Sequence, residues 1–336
     1  MSSRSIVRFS LVALLAVIVA AAVGGAWSYG WLNLPLQLES PLVVIVPEGK
    51  PLARVAGELA GSGVLDHPRV FTWYARLTGA ARRVHAGEYT LTPGLTAHGL
   101  LERFVRGAVV QHDVTILEGW TVAQLLKALR AEAALEHRIP PEPDALVSML
   151  ELPRPNAEGL FFPDTYRFTR GDTDLEVLRR AHERMSAVLE TAWSARDADL
   201  PYADEYEALI LASIIEKETG REEERTKVAR VFVSRLQQGM ALQTDPTVIY
   251  GLGDGFDGNL TRRHLGAESP YNTYRRRGLP PTPIALPGQA SIEAALHPAE
   301  GDYLYFVARG DGSSEFSATL DEHVRAVRRF QLGDRR

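Results

Sequence analysis

Leu42-Val43-Val44-Ile45-Val46-Pro47-Glu48-Gly49 joins a β-branched apolar run to a turn. Five such residues fit a pleated, half-buried strand, and Pro-Glu-Gly ends it with turn chemistry. The next stretch, Leu52 to Leu59, carries apolar side chains at helical spacing. The same pattern returns at an offset of 70 residues, with Val114 to Leu117, then Glu118-Gly119, then Val122 to Leu129. Two copies make a small internal repeat and not a solenoid, because stacked arrays need about three units to close a core. Between the copies, Val70 to Leu77 reads as a helix, Gly87 to Leu91 as a strand, and Thr96 to Val105 as a second helix. A compact β-α-α-β module therefore occupies residues 41–112, and the chain as a whole is α+β.

Towards the N-terminus, Arg4 and Arg8 precede an uncharged run from Phe9 to Leu38. A helix rising ~1.5 Å per residue needs about 20 apolar residues to cross a hydrocarbon core. Phe9 to about Tyr29 supplies them, and Trp27, Tyr29 and Trp31 fall where an interfacial aromatic belt belongs. Residues 1–31 are thus a cytoplasmic stub and a single transmembrane anchor, with the arginines holding the N-terminus inside and the remaining chain exported. Ala20-Ala21-Ala22 leaves a cleaved signal peptide as the competing reading, although the apolar run is longer than the usual signal-peptide core of roughly 7 to 15 residues.

Towards the C-terminus, Pro140-Pro141-Glu142-Pro143 breaks the pattern before a short helix. Glu158-Gly159-Leu160-Phe161-Phe162-Pro163-Asp164-Thr165-Tyr166 has the composition of a fixed, well-packed loop. Leu175 to Trp193 is an amphipathic helix. Asp204 with Glu207 offers a capping box for another helix that runs to about Thr219, and Glu223 to Gln238 is a third. Asp245-Pro246 reads as N-cap and first-turn proline of a short helix ending near Gly251. Tyr303 to Ala308 and Glu315 to Ala318 make a hairpin about Gly310-Asp311-Gly312, and Thr319 with Glu322 caps a last helix.

The composition excludes several classes of function. With 336 residues and 45% hydrophobic content there is material for about two packed domains. Lys and Arg number 37 against 42 Asp and Glu, net −5, which argues against nucleic acid as a partner. The absence of cysteine removes disulfides, thiolate nucleophiles and cysteine-ligated metals. The nine histidines show no metal-ligand spacing, so no metal is expected. Gly253-Asp254-Gly255-Phe256-Asp257-Gly258 matches a dinucleotide fingerprint only in form. No strand precedes it, and Asp254 and Asp257 would repel a pyrophosphate.

Chemistry concentrates in Leu211-Ala212-Ser213-Ile214-Ile215-Glu216-Lys217-Glu218-Thr219-Gly220. At ~100° per residue Glu218 shares a stripe with Leu211, Ile214 and Ile215, while Glu216 points to nearly the opposite side. A carboxyl on an apolar stripe is poorly solvated, which raises its pKa towards the range a general acid needs. Glu218 is the candidate acid, against the plainer possibility of a glutamate at a fraying helix end. A second group, Leu242-Gln243-Thr244-Asp245-Pro246-Thr247 with Pro270-Tyr271-Asn272-Thr273-Tyr274 and Leu279-Pro280-Pro281, interleaves amides, hydroxyls and phenols with prolines. That composition suits a groove for a polyhydroxylated, amide-bearing ligand. It equally suits a set of capped turns.

The run LASIIEKETG, followed by LQTDPTVIYG, YNTY, GLPPTPIALPG, AALHP and YLYFVA in that order, resembles the endolytic murein transglycosylase family of YceG-like, MltG-type proteins. The resemblance covers essentially the whole chain. It implies a LysM-like module at 41–112 and a mixed α+β catalytic domain at 113–336, with Glu218 as the catalytic residue. Gln243, Thr244, Asp245, Tyr271 and Asn272 match motifs around the family's cleft. The activity implied is scission of the MurNAc–GlcNAc β-1,4 bond of peptidoglycan strands, leaving 1,6-anhydro ends without any cofactor. The implied setting is the inner membrane facing the periplasm, alongside penicillin-binding synthases, where the enzyme terminates strand elongation. The alternatives are a non-enzymatic, membrane-anchored glycan-binding adaptor and a hydrolytic muramidase.

Overall fold

The computed structural model describes residues 3–140 and 145–332. Pro141 to Pro143 of the proline break and the last four residues of the 113–336 region lie outside the described residues. Contacts divide the chain into two compact units, residues 1–112 with 169–171, and residues 113–168 with 172–336.

In the first unit, helix α1 (Ser3–Leu32) contains an apolar stretch, Leu11–Leu32, of mean hydropathy 2.3 and long enough to cross a membrane. Its side chains from Leu11 to Ala26 are exposed. The end of α1 is built into the unit. Leu32 and Leu36 are buried in its core, and the rings of Trp27 and Trp31 pack edge-on against His67. Then follow β1 (Leu42–Val46), α2 (Leu52–Gly61), α3 (Pro68–Leu77), β2 (Gly87–Leu91) and α4 (Ala97–Arg106). The β-α-α-β order expected from the sequence is present. β1 and β2 pair antiparallel, Leu42 opposite Leu91 and Val46 opposite Gly87. Alternation along β1 turns Leu42, Val44 and Val46 towards the core and leaves Val43 and Ile45 exposed.

The second unit holds most of β3 (Gln111–Thr115) and β4 (Thr165–Thr169), which pair with each other. Its helices are α5 (Val122–Ala131), α6 (Ala145–Met149), α7 (Asp174–Ser194), α8 (Glu205–Glu218), α9 (Glu222–Gln237), α10 (Asp245–Leu252), α11 (Arg262–Leu265) and α12 (Gln289–Leu296). The hairpin β5 (Tyr305–Ala308) and β6 (Ser314–Ser317) leads into α13 (Leu320–Val327). α8 is the centre of this unit. Every residue from Ala208 to Ile215 is buried, and the helix packs against α7, α9, α10 and α12. A helix apolar on all sides belongs inside.

The structure corrects several local expectations. The strand anticipated at Val114 to Leu117 lies at Gln111–Thr115, because pairing with β4 recruits the polar residues 111–113, while the Ile116 amide bonds to Asp164 beyond the strand. β4 emerges from what composition alone presents as a loop ending at Tyr166. The N-cap of α10 is Thr244 and not Asp245, because Asp245 already lies in the first helical turn; the Thr244 side chain makes no cap bond and turns instead to Glu218. At α8 the Asp204 carboxylate accepts from the Glu207 amide, but Glu207 reaches back to the Ala203 N–H, one residue outside the standard box.

Candidate active site

Because α8 is buried on every side, the stripe carrying Leu211, Ile214 and Ile215 does not by itself distinguish its two glutamates; tertiary neighbours do. Successive side chains of its last turn diverge by ~100° and reach three different places. Glu216 Oε2 accepts from the Gly288 N–H at 3.1 Å and from the Ser291 hydroxyl at 2.7 Å, so it caps α12, whose own N-cap residue has no side chain. Lys217 Nζ donates to the Gly119 carbonyl at 3.2 Å. Glu218 faces a cavity of about 420 Å³.

The Thr244 hydroxyl donates to Glu218 Oε1 at 2.6 Å. Burial pushes the Glu218 carboxyl above the ordinary carboxylate range, the Thr244 hydrogen bond opposes that shift, the charge of Asp245 reinforces it, and Arg235 pulls it back. Loss of hydration is the largest of these causes, as expected of a carboxyl at the end of an apolar helix.

Arg235 on α9 is itself buried. Its guanidinium donates to the carbonyls of Leu242 at 2.6 Å and Leu304 at 2.8 Å and lies over the Tyr305 ring. It thus ties β5 and the segment before α10 to the same floor as Glu218. Asp245, exposed at the cavity rim, accepts from the Tyr274 hydroxyl at 2.6 Å. Gln243 also lines the cavity and holds φ at 52°, a left-handed conformation costing a non-glycine residue on the order of 1 kcal/mol. His323 of α13 stacks on Tyr305 and completes the wall.

The six residues singled out in the sequence do not all meet. Glu218, Gln243, Thr244 and Asp245 gather around the first cavity. Tyr271 belongs instead to a second cavity of about 860 Å³, where it packs edge-on against Tyr250 with ring centroids 4.9 Å apart. Asn272 is buried. Its Nδ2 donates to the carbonyls of Leu265 and Ala267 and its Oδ1 accepts from the Tyr274 N–H, so it ties a loop and faces neither cavity. That loop approaches α10 closely because Gly251 has no side chain; a Cβ there would stand 2.8 Å from Ser269 Oγ and 3.0 Å from Tyr271 Cβ.

The second cavity contains Glu158, which sequence reasoning assigned only to a fixed loop. Its carboxylate accepts from the Val122 N–H at 3.0 Å and from the Tyr250 hydroxyl at 3.1 Å. Burial raises its pKa to about 7 against the hydrogen bonds of Val122 and Tyr250. The following Gly159, at φ 80°, leaves room for Pro283, which any Cβ would meet at 2.5 Å. Arg235, His323 and Glu158 carry little local signal, because their burial is decided by elements distant in sequence. Tyr274 belongs to the amide-and-phenol group read from the sequence, whereas Tyr250 carries no such signal. Among the described residues no group of three or more His, Asp or Glu side chains could hold a metal.

A family model described as the YceG-like family matches residues 44–329. A Bacillus subtilis protein named endolytic murein transglycosylase is 32% identical over 330 residues, covering 92% of this chain and 91% of its own. A Streptococcus pneumoniae protein of the same name is 27% identical, covering 96% of this chain and 65% of its own length. The crystal structure of a YceG-like protein from Listeria monocytogenes aligns with a TM-score of 0.56 at 28% identity, over 86% of this chain and 99% of that one.

Proposed function

The chain belongs to the YceG-like family, and on that premise we propose that it is a lytic transglycosylase of peptidoglycan in which Glu218 is the acid and base. The observation that carries this assignment is Glu218 itself: a carboxyl withdrawn from water at the end of a buried helix, raised in pKa, held by one hydroxyl and open to a polar cavity. Protonated, it gives its proton to the departing glycosidic oxygen of the β-1,4 bond between MurNAc and GlcNAc. As a carboxylate it then removes the proton from the muramyl C6 hydroxyl, which attacks the anomeric carbon and closes the 1,6-anhydro ring. One group serves both steps, in contrast to the paired carboxylates of most glycosidases. Thr244 orients Glu218, while Asp245 and Gln243 are placed to contact the sugar at the cavity rim.

Residues 41–112 act as a LysM-like glycan-binding module and 113–336 as the catalytic domain. α1 serves as a single-pass anchor that places both on the outer side of the inner membrane. Burial of Leu32 and Leu36 in the first unit supports an anchor retained as part of the fold. Such an enzyme can end the elongation of new strands beside penicillin-binding synthases. Incubating the full chain with nascent strands and analysing the products by mass spectrometry tests the assignment. Anhydro-MurNAc ends from the wild type, absent with Glu218→Gln, are expected. Reducing ends would mean hydrolysis, and binding without cleavage would mean an adaptor.

A further inference from the structure

We infer that the cavity bounded by Glu158, Tyr250 and Tyr271 is a second carbohydrate site, receiving N-acetylhexosamine units of the strand that is cut at Glu218. This rests on Glu218 acting on a glycan strand and adds where the strand goes. Adjacent residues border the two cavities: Lys217 and Pro246 line the second, Glu218 and Asp245 the first. The end of α8 and the start of α10 therefore form the partition between them. A bond cut inside a strand has sugars on both sides, so the polymer extends past that partition.

The lining differs in chemistry from the first cavity. Around Glu218 the walls carry Arg235, Asp245 and His323, suited to proton transfer and charge. Around Glu158 they carry Tyr250, Tyr271, Ile249 and Ile284 with the neutral amides Gln124 and Asn156, and the cation of the lining, Lys217 at the partition, donates to the Gly119 carbonyl. An N-acetylhexosamine presents an apolar ring face, an acetyl methyl, and hydroxyl and amide groups without charge, which is the complement of that lining. Glu158 supplies the buried polar group that would fix orientation. A carboxyl has about four acceptor positions, and the one left by the Val122 and Gly159 amides and the Tyr250 hydroxyl can accept from a hydroxyl or an acetamido N–H.

The test uses full-length protein carrying Glu218→Gln, titrated with chitotetraose, a β-1,4 oligomer of N-acetylglucosamine, by calorimetry and by saturation transfer to the acetyl methyls. Two cavity variants are compared in that background, Tyr271→Ala and Ala123→Trp. Ala123 is an exposed position of α5 that borders the cavity, so tryptophan there fills it without disturbing the core. Each variant is expected to weaken binding by about tenfold or more. In the Glu218 wild type each should raise KM for long strands more than it lowers kcat. Unchanged affinity in both folded variants overturns the inference, even if the wild type makes anhydro ends normally. Cavity-dependent binding by a wild type that makes no anhydro ends would support the site and overturn the catalytic assignment instead.

Discussion

Glu218 and Glu158 are two carboxyls withdrawn from water within one unit, on neighbouring cavities, and each receives a hydroxyl, from Thr244 and from Tyr250. They differ in how they are held. Glu158 also accepts the first amide of α5, so it is braced between α5 and α10. Among the described residues only Thr244 donates to Glu218, and the guanidinium of Arg235 tempers its burial from α9 without a direct bond. The difference teaches that a raised pKa is not itself a sign of catalysis. On the roles proposed above, a carboxyl braced by two elements is fixed for recognition, whereas one held on a single side keeps an oxygen for the substrate.

The comparison breaks first if Glu218 can be replaced. Glu218→Gln is expected to lower the rate of anhydro-end formation by roughly 10³-fold with the fold intact, measured by product analysis and circular dichroism. Activity within tenfold of wild type would remove the distinction between the two carboxyls.

The next effect concerns stability. The folded pKa of Glu158, about 7, lies above its ordinary 4.5, so the folded state holds the proton more tightly. Its contribution is fully present below pH 4.5 and is lost as pH rises towards 7, on the order of 3 kcal/mol. Glu158→Gln should flatten the fall in thermal stability between pH 5 and pH 8, and an unchanged slope would show that Glu158 titrates normally.

A smaller effect should follow from Thr244→Val. Loss of the orienting hydroxyl is expected to reduce kcat by about tenfold. Because the Thr244 bond lowers the Glu218 pKa, its removal should move the alkaline limb of the rate profile to higher pH. A limb moving to lower pH would contradict that role.

The smallest change should come from the other glutamate of the turn. Glu216→Gln weakens the cap on α12 and should cost about 1 kcal/mol in unfolding experiments while retaining activity. Loss of turnover in a well-folded Glu216 variant would place the chemistry on the wrong face of α8.

Much of the architecture was legible because it rests on local rules. The strand at Leu42–Val46, the turn glycines Gly49 and Gly119 at φ 71° and 74°, and the capping box of Thr319 with Glu322 need only short-range sterics and hydrogen bonds. The apolar span of α1 is likewise a matter of length and composition. The divergence of Glu216 and Glu218 follows from helical geometry alone.

What tertiary structure decided is the partnership of each side chain. Helical spacing could not reveal that α8 is buried all round, that Thr244 would turn from capping its helix to hold Glu218, or that Arg235 would be buried on carbonyls of two distant segments. Nor could the interleaved amides and phenols indicate that Tyr271 and Asn272, neighbours in sequence, would go to a cavity wall and a buried loop tie. Sequence fixes backbone preference and which groups are available. Solvation and hydrogen-bond partners depend on segments far apart in the chain, and those set the pKa of Glu218 and of Glu158.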